Sequence, residues 1–207
     1  MNIVDIESEG YSPDSEVRQE NVRRILDSAE RLFRHYGYSK TTVADIARDL
    51  GMSPANIYRF FESKNEILQA LCSRMLGTGH ALALQIAALP LSAEERLRRY
   101  VETEHRLTVE TMMDAQKVHE MVVVAIEQNW DVIDRHIDRL TDVVQKIIED
   151  GIAAGEFPPQ DARVAARCFG ASIALLSHPQ LVAQCLCKEN RASPQELTDF
   201  AIRALKA

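Results

Sequence analysis

The chain has 207 residues, of which 46% are hydrophobic and 27% charged, and its formal net charge is −7 at pH 7. This composition allows a hydrophobic core in one large domain or two small ones, and the acidic first residues lack the basic start and apolar run of a secretory signal. The charge is uneven. Residues 1–16 carry five acids and no Lys or Arg, whereas residues 17–64 carry nine Lys or Arg against six Asp or Glu, a net of +3.

Residues 1–16 have little to bury and are expected to form a disordered acidic tail. The apolar residues that follow recur at helical spacing as far as Gly37, which predicts a first helix. Thr42 is placed to cap a second helix that Gly51 ends, and Ser53 with Pro54 begins a third. We expect residues 17–64 to form a three-helix domain, called the head here.

Beyond the head the periodicity stays helical, and no strand pattern occurs. A capping box, Ser63-x-x-Glu66, opens a long helix over 63–89, and a second one, Ser92-x-x-Glu95, opens the next helix. Residues 65–207 are therefore expected to form a larger helical body, and the protein to be all-α. The predicted helices of the body after 63–89 cover 92–113, 115–128, 130–153, 160–187 and 194–206, and Pro179 is expected to kink or split the helix over 160–187.

Two uncharged stretches, 76–93 and 168–187, approach the length of a membrane span. Pro, His and Gln interrupt both, so buried helices of a soluble protein are the better interpretation, and no membrane partner is expected. Without a secretory route the cysteines are expected to be reduced. Cys185 and Cys187 form a Cys-x-Cys pair, but no second Cys or His cluster lies beside them, so we predict neither a metal site nor a cofactor.

A second helix that follows another after a tight turn is typical of the helix-turn-helix, which places its second helix in the major groove of duplex DNA. The solvent side of the third predicted helix carries the residues expected to reach base edges: Ser53, Ala55, Asn56 and Arg59. Asn56 suits adenine and Arg59 suits guanine. Four further residues have groups suited to phosphates: Thr41, Thr42, Tyr58 and Lys64.

Each of these residues also has an ordinary structural interpretation. Thr42 and Ser53 serve equally as helix caps, Tyr58 as a half-buried aromatic, and Arg59 as a solvated surface charge. The combination at fixed spacing is what favours a DNA-binding head, together with the positive charge of residues 17–64.

The head resembles the N-terminal signature of the tetracycline-repressor-like (TetR) family over about fifty residues. The matching motifs are Ala29-x-x-Leu32-Phe33-x-x-Tyr36-Gly37, Thr41-Thr42-Val43, Ile46-Ala47, Gly51-Met52-Ser53, Ile57-Tyr58, Phe61 and Ser63-Lys64. Asn65 and Met52 depart from the residues usual at their positions. The resemblance implies a homodimeric transcription regulator, usually a repressor, whose helical body binds a small molecule and pairs with its twin. A cytoplasmic location is expected from the missing secretory signal and the DNA partner.

Two features of the body fit those expectations. Small residues recur every four positions, at Ala162, Ala166, Gly170 and Ala174, which suits close helix packing in a dimer interface, although packing within one subunit is the alternative. Polar and flexible side chains lie among apolar neighbours in the middle helices and suit a pocket for a hydrophobic ligand, or else an ordinary core. The predicted ligand-binding residues are His105, Met112, Met113, His119 and Trp130, with Met121 nearby.

The chain lacks a Gly-rich phosphate loop, a nucleophile elbow and metal-ligand spacing, so no catalytic residue is predicted. Pairs such as Glu104–His105 and His119–Glu120 are expected on solvated helix faces. The sequence thus favours a ligand-released dimeric repressor that binds a palindromic DNA operator. The alternatives are a regulator or activator without an effector, and a small-molecule carrier or enzyme with a DNA-binding-like head.

Overall fold

The computed structural model describes residues 13–113, 121, 123–124, 131–185 and 192–207. All regular secondary structure in these residues is helical, which confirms the all-α prediction. The helices are α1 Pro13–Tyr36, α2 Val43–Asp49, α3 Pro54–Tyr58, α4 Lys64–Ala87, α5 Ala93–Met113, α6 Asp131–Ala153, α7 Ala162–Ser172, α8 Ala174–Ser177, α9 Pro179–Cys185 and α10 Pro194–Leu205.

The chain divides into two compact units, Met1–Leu71 and Cys72–Ala207. The division falls after the first two turns of α4 rather than at the expected boundary between residues 64 and 65. Ile67, Leu68 and Leu71 are fully buried and belong to the N-terminal unit.

The N-terminal end of the described chain also differs from the expectation. Helix α1 already begins at Pro13, so residues 13–16 of the expected tail are helical, and the rest of that tail lies outside the described residues.

The N-terminal unit is built on apolar faces at helical spacing. Side chains three or four residues apart lie on one side of a helix, so each helix turns a single stripe toward the others. The three helices of the head and the segment after α3 contribute these buried residues: Ile25, Leu26, Ala29, Phe33, Val43, Ile46, Ala47, Ile57 and Phe61. The predicted three-helix head is therefore present.

The C-terminal unit has a core of its own, to which α4, α5, α6, α7, α8 and α10 contribute. Its fully buried large side chains include Leu97, Ile147, Ile148, Ile173 and Ile202. Phe157, in the connection from α6 to α7, joins the same core. The connection folds back because Gly155 takes a left-handed conformation (φ 76°), and the N–H of Glu156 then donates to the carbonyl oxygen of Gly151 at 2.8 Å.

That return places Glu156 at the first turn of α5. Its carboxylate accepts hydrogen bonds from the backbone N–H groups of Ala93 (2.9 Å) and Glu94 (3.2 Å), two of the donors that a helix start leaves without an intrahelical partner. The predicted Ser92 cap is also present, since its hydroxyl accepts from the N–H of Glu95 at 3.1 Å. A carboxylate distant in sequence thus completes a cap that the local motif only begins.

Arg96, a buried cation of the same helix, ties α5 to two neighbours. One terminal nitrogen, Nη1, donates to the carbonyl oxygen of Ala87 at 2.8 Å and to a carboxylate oxygen of Asp150 at 2.9 Å. Hydrogen bonds from Arg96 and from Lys146 hold the pKa of Asp150 below its usual value. These two oxygens stabilise the charge of Arg96 in the interior, although its Nε has no hydrogen-bond partner among the described residues.

The segment predicted as a helix over 160–187 forms three helices. The split expected at Pro179 occurs, because the chain breaks at His178 before α9, and a second break at Ile173, between α7 and α8, is not predicted by the sequence. His178 has an extended backbone (ψ 120°), as expected of a residue that precedes a proline, and Pro179 starts α9. The predicted helix over 115–128 lies mostly outside the described residues.

Gly151→Ala is expected to destabilise the C-terminal unit. A β-carbon there would lie 2.5 Å from Phe157 Cδ2 and 2.7 Å from Ala93 Cβ, so the core must shift. Overpacking of this kind costs roughly 1–3 kcal/mol. Gly77→Ala is the matched control, because nothing lies within 4 Å of its β-carbon, and it should stabilise α4 by about 0.5–1 kcal/mol. Denaturant unfolding of both variants measures the difference, and equal stability of the two would contradict the prediction.

Candidate DNA-binding surface

The short helix α3 is fixed at its start and on its inner side. Ser53 is its N-cap, whose hydroxyl accepts a hydrogen bond from the N–H of Asn56 at 3.2 Å, and Pro54 occupies the first turn. Ile57 is fully buried. These contacts leave the opposite side of α3 toward solvent, as a recognition helix requires.

The preceding helix and turn determine where α3 begins. Thr42 and Asp45 form a complete capping box at the start of α2. Hydrogen bonds from the Thr42 hydroxyl and from its backbone N–H hold the pKa of Asp45 below its usual value. After α2, Gly51 adopts φ 66°, a conformation that favours glycine, and the Met52 N–H donates to the carbonyl oxygen of Ala47 at 2.8 Å.

The outer side of α3 brings together most of the residues predicted to reach DNA. Ala55 and Arg59, four positions apart, are exposed together with Ser53, and Tyr58 is 52% exposed. Asn56 is half-buried, so it lies at the edge of this surface rather than at its centre. The surface offers a guanidinium, a phenol, an amide, a hydroxyl and a methyl group, which suit base edges and phosphates.

Thr41 is placed differently from the expectation. Its side chain is only 2% exposed, and its hydroxyl donates to the carbonyl oxygen of Gly37 at 2.8 Å. In this arrangement the hydroxyl stabilises the connection between α1 and α2 and does not point to solvent. Thr42, the next residue, is exposed at the start of α2.

Lys64 also has partners inside the N-terminal unit. Its ammonium group donates to the carbonyl oxygens of Tyr38 (2.9 Å) and Thr41 (3.0 Å) and lies 4.1 Å from the centre of the Tyr38 ring. A cation here satisfies carbonyls that the end of α1 and the start of α2 leave open, and it gains from the aromatic face. The predicted phosphate contact of Lys64 stays a prediction, alongside this structural role.

Sequence reasoning missed the contacts that join α1 to the helix-turn-helix. The Asp49 carboxylate accepts from the Ser28 hydroxyl at 2.6 Å and pairs with Arg31. The Arg18 guanidinium lies 5.4 Å from the centre of the Phe60 ring.

The residues predicted to bind a ligand are only partly described. His105 is half-buried, and its Nδ1 lies 2.9 Å from the carbonyl oxygen of Leu176. Met112 and Met113 lie in the last turn of α5, and Met121 is buried, whereas His119 and Trp130 lie outside the described residues.

The expectation of a solvated face at Glu104–His105 is wrong for Glu104, which is buried. Helical spacing places it on the face of α5 that carries Tyr100 and Val101 into the core.

The predicted dimer stripe does not form one exposed surface. Ala166 is fully buried in the core of the C-terminal unit and Ala162 packs against that core, while Gly170 is exposed. The alternative of packing within one subunit therefore holds for Ala162 and Ala166. The exposed stripe of α7 and α8 runs instead through Val164, Cys168, Ala171 and Leu175.

The described residues contain no group of three or more side chains that could hold a metal ion. Burial raises the pKa of the Cys72 thiol to about 11. None of the helices in the described ranges is long and apolar enough to cross a membrane.

The chain matches two families, one in each unit. Residues 25–71 match the family described as "Bacterial regulatory proteins, tetR family". Residues 93–198 match "Tetracyclin repressor-like, C-terminal domain". The chain is also 24% identical, over 69% of its own length and 74% of the other, to the HTH-type transcriptional regulator YhgD of Bacillus subtilis (strain 168).

Solved structures show the same fold. A putative transcriptional regulator from Saccharomonospora viridis, in complex with choline, is 28% identical, with a TM-score of 0.62 and coverage of 88% of this chain and 94% of that one. The transcriptional regulator FadR from Bacillus subtilis, in complex with stearoyl-CoA, is 19% identical, with a TM-score of 0.61 and coverage of 89% and 97%.

Lys64→Met is expected to lower the stability of the N-terminal unit, since two carbonyl oxygens lose a charged donor, at a cost of about 1.5–3 kcal/mol. Lys40→Met is the matched control, because Lys40 is exposed, and it should change stability by less than about 0.5 kcal/mol. Hydrogen exchange of the amides in α1 and α2 measures both variants. Unchanged exchange in Lys64→Met would show that the carbonyl contacts contribute nothing to stability.

Proposed function

Because this chain belongs to the tetracycline-repressor-like (TetR) family of DNA-binding transcriptional regulators, we propose that it is a homodimeric repressor which a small molecule releases from a palindromic operator. The family consists of regulators and not of enzymes. The DNA partner implies that the protein acts in the cytoplasm. The observation that carries the proposal is the capped, inwardly anchored α3 with its polar outer side.

The side chains of that outer side suggest separate roles on DNA. Arg59 binds guanine through two parallel hydrogen bonds, Asn56 at the edge binds adenine, and Ala55 contacts a thymine methyl group. Thr42, Tyr58 and Lys64 bind phosphates and so fix the register of α3 in the groove. The net charge of +3 over residues 17–64 supplies the attraction that all DNA sequences share.

The dimer interface is proposed to lie on α7, α8 and α10 of the C-terminal unit. Three large apolar side chains are exposed there, Val164, Leu175 and Phe200, the last of them 62% exposed. α10 packs directly against α7, so the three residues belong to neighbouring helices. Burial of such a surface against its symmetry mate supports a closed two-fold dimer, whose recognition helices must lie roughly 34–36 Å apart to enter successive major grooves.

Release by a ligand is proposed to act through α4, which begins in the N-terminal unit and ends in the C-terminal unit. A ligand that binds beside α4 in the C-terminal unit and displaces it would change the separation of the recognition helices. To release DNA effectively, it must favour the non-binding state by about 1–3 kcal/mol or more. The choline and stearoyl-CoA complexes of the structural neighbours support a small organic molecule as the effector.

The proposed function is tested by selection from a random duplex library at about 0.15 M salt, where charge screening is physiological. An enriched inverted repeat is expected, because two identical heads read two half-sites. Enrichment of a single, asymmetric site would contradict the dimer, and recovery of no motif would contradict sequence-specific binding.

Arg59→Ala is expected to relax the preference at one or two base pairs in each half-site, at a cost of about 1–3 kcal/mol there. Tyr58→Phe is the control for register, since it should weaken binding to all sequences alike. The same library selection measures both variants. A motif that stays unchanged in Arg59→Ala would show that the recognition helix is oriented differently from the proposal.

Phe200→Asp is expected to convert the dimer into a monomer at micromolar concentration, because a carboxylate would be buried against its own symmetry mate. Ile137→Asp is the matched control, since Ile137 is 56% exposed in the same unit but lies on α6, outside the proposed interface. Sedimentation equilibrium measures the mass of each variant. A wild-type protein that sediments as a monomer would exclude this interface altogether.

A further inference from the structure

We propose that the effector of this chain is an organic cation, an ammonium group carried on an apolar skeleton, and that the carboxylate of Glu104 binds its charge. The inference rests on the proposed function, in which the C-terminal unit binds a small molecule. It adds the chemical class of that molecule and the residue that recognises it.

The first observation is a buried carboxylate oxygen that has no hydrogen-bond partner in the part of the chain that the structure describes. Glu104 on α5 is only 9% exposed, and its Oε1 atom has no hydrogen-bond partner among the described residues. Arg96, two turns earlier on the same helix, is also buried, and its Nη1 donates to two oxygens, although its Nε has no partner among the described residues. Because a desolvated carboxylate is costly unless it is paired, the environment of Glu104 calls for a donor or a cation.

The second observation is the glycine that faces this carboxylate from α4. A β-carbon on Gly79 would lie 4.0 Å from Glu104 Oε1 and 4.0 Å from Leu107 Cδ1. Since Gly79 has no side chain, α4 contributes no polar group at this position that could pair with the carboxylate. Leu107 and the buried Tyr100, one turn before Glu104, give the surroundings an apolar and aromatic character that suits the skeleton of an organic ammonium ion.

The titratable groups nearby do not neutralise Glu104. Burial and the neighbouring Glu104 raise the pKa of Tyr100, so its phenol stays protonated and uncharged. His80 follows Gly79 on α4 and lies close enough to His136 on α6 to influence it. Burial, with contributions from Arg139 and His80, lowers the pKa of His136 to about 4, so this imidazole is neutral at pH 7.

These surroundings also predict how binding depends on pH. Burial raises the pKa of Glu104 to about 7, so ionisation of its carboxyl group is incomplete near neutral pH. A cation stabilises the ionised form, and its binding therefore releases a proton. The affinity for a permanently charged cation must rise as the pH rises through 7, whereas that for a neutral molecule of the same shape must not.

The experiment is calorimetric titration of the full chain at pH 6 and pH 8 with four probes. Choline and octyltrimethylammonium carry a fixed positive charge, 3,3-dimethylbutan-1-ol has the shape of choline without the charge, and octanoate is an anion. Both cations are expected to bind roughly tenfold more tightly at pH 8, the ratio of ionised fractions for a group with a pKa of about 7. The alcohol should show no such change, and octanoate should bind least.

Glu104→Gln keeps the size of the side chain and removes its charge, and it should weaken binding of the cations roughly 30-fold or more and abolish the pH dependence. Glu102→Gln is the matched control, because Glu102 is an exposed acid on the same helix, and it should leave both unchanged. His80→Gln should keep the pH dependence, since Glu104 is its source.

The inference is overturned if the cations bind no better than the alcohol and octanoate, or if their affinity does not rise with pH. Equal affinity in Glu104→Gln would overturn it as well, and should that variant fail to fold, the comparison of probes on the wild-type protein still decides. A protein that selects an operator from the duplex library but binds neither cation would refute this inference alone. Cation binding by a protein that selects no DNA motif would refute the proposed function instead.

Discussion

A helix of five residues has no stability of its own in water, and the rest of the N-terminal unit exists to hold α3 in place. The burial of Ile57 anchors its inner side, and the Ser53 cap and Pro54 define its first turn. The contacts of Asp49 with Ser28 and Arg31 tie α2, the partner of α3, to the long α1. Tertiary packing therefore replaces the intrinsic stability that α3 lacks, and its outer side is free to carry residues chosen for DNA rather than for folding.

The C-terminal unit buries two ionisable side chains of α5, Arg96 and Glu104, and they differ in the partners that they have. The Nη1 of Arg96 donates to one oxygen from α4 and one from α6, and these hydrogen bonds join three helices. Glu104, on the same helix, has burial without compensation from the described residues. A fold tolerates an unpaired buried carboxylate when the carboxylate serves binding. A ligand that supplies the missing partner then recovers, as binding free energy, the interaction energy that the ligand-free protein lacks.

Helical periodicity predicted the all-α class and the order of the helices. The local signals of caps, glycines and prolines predicted where α2, α3 and α5 begin, because such signals act within one turn of a helix. The sequence identified Thr42, Ser53 and the inner side of α3 correctly for the same reason. It could not tell that Thr41 turns inward, that Ala166 joins the core of its own subunit, or that Glu104 is buried. Each of those outcomes depends on which neighbour a helix face meets, and a single sequence does not encode that neighbour in its spacing. The break of the expected helix 160–187 at Ile173 has no proline or glycine to announce it.

The position of the boundary between the units has a practical consequence for the modularity of this protein. The boundary falls after Leu71, inside the helix α4. A DNA-binding fragment cut at residue 64, where the motif ends, would lose Ile67, Leu68 and Leu71, all fully buried. The smallest DNA-binding fragment of this protein that keeps its core therefore includes the first two turns of α4. In a chimaera, those turns would have to be transplanted with the recognition helix even though they are not expected to touch a base.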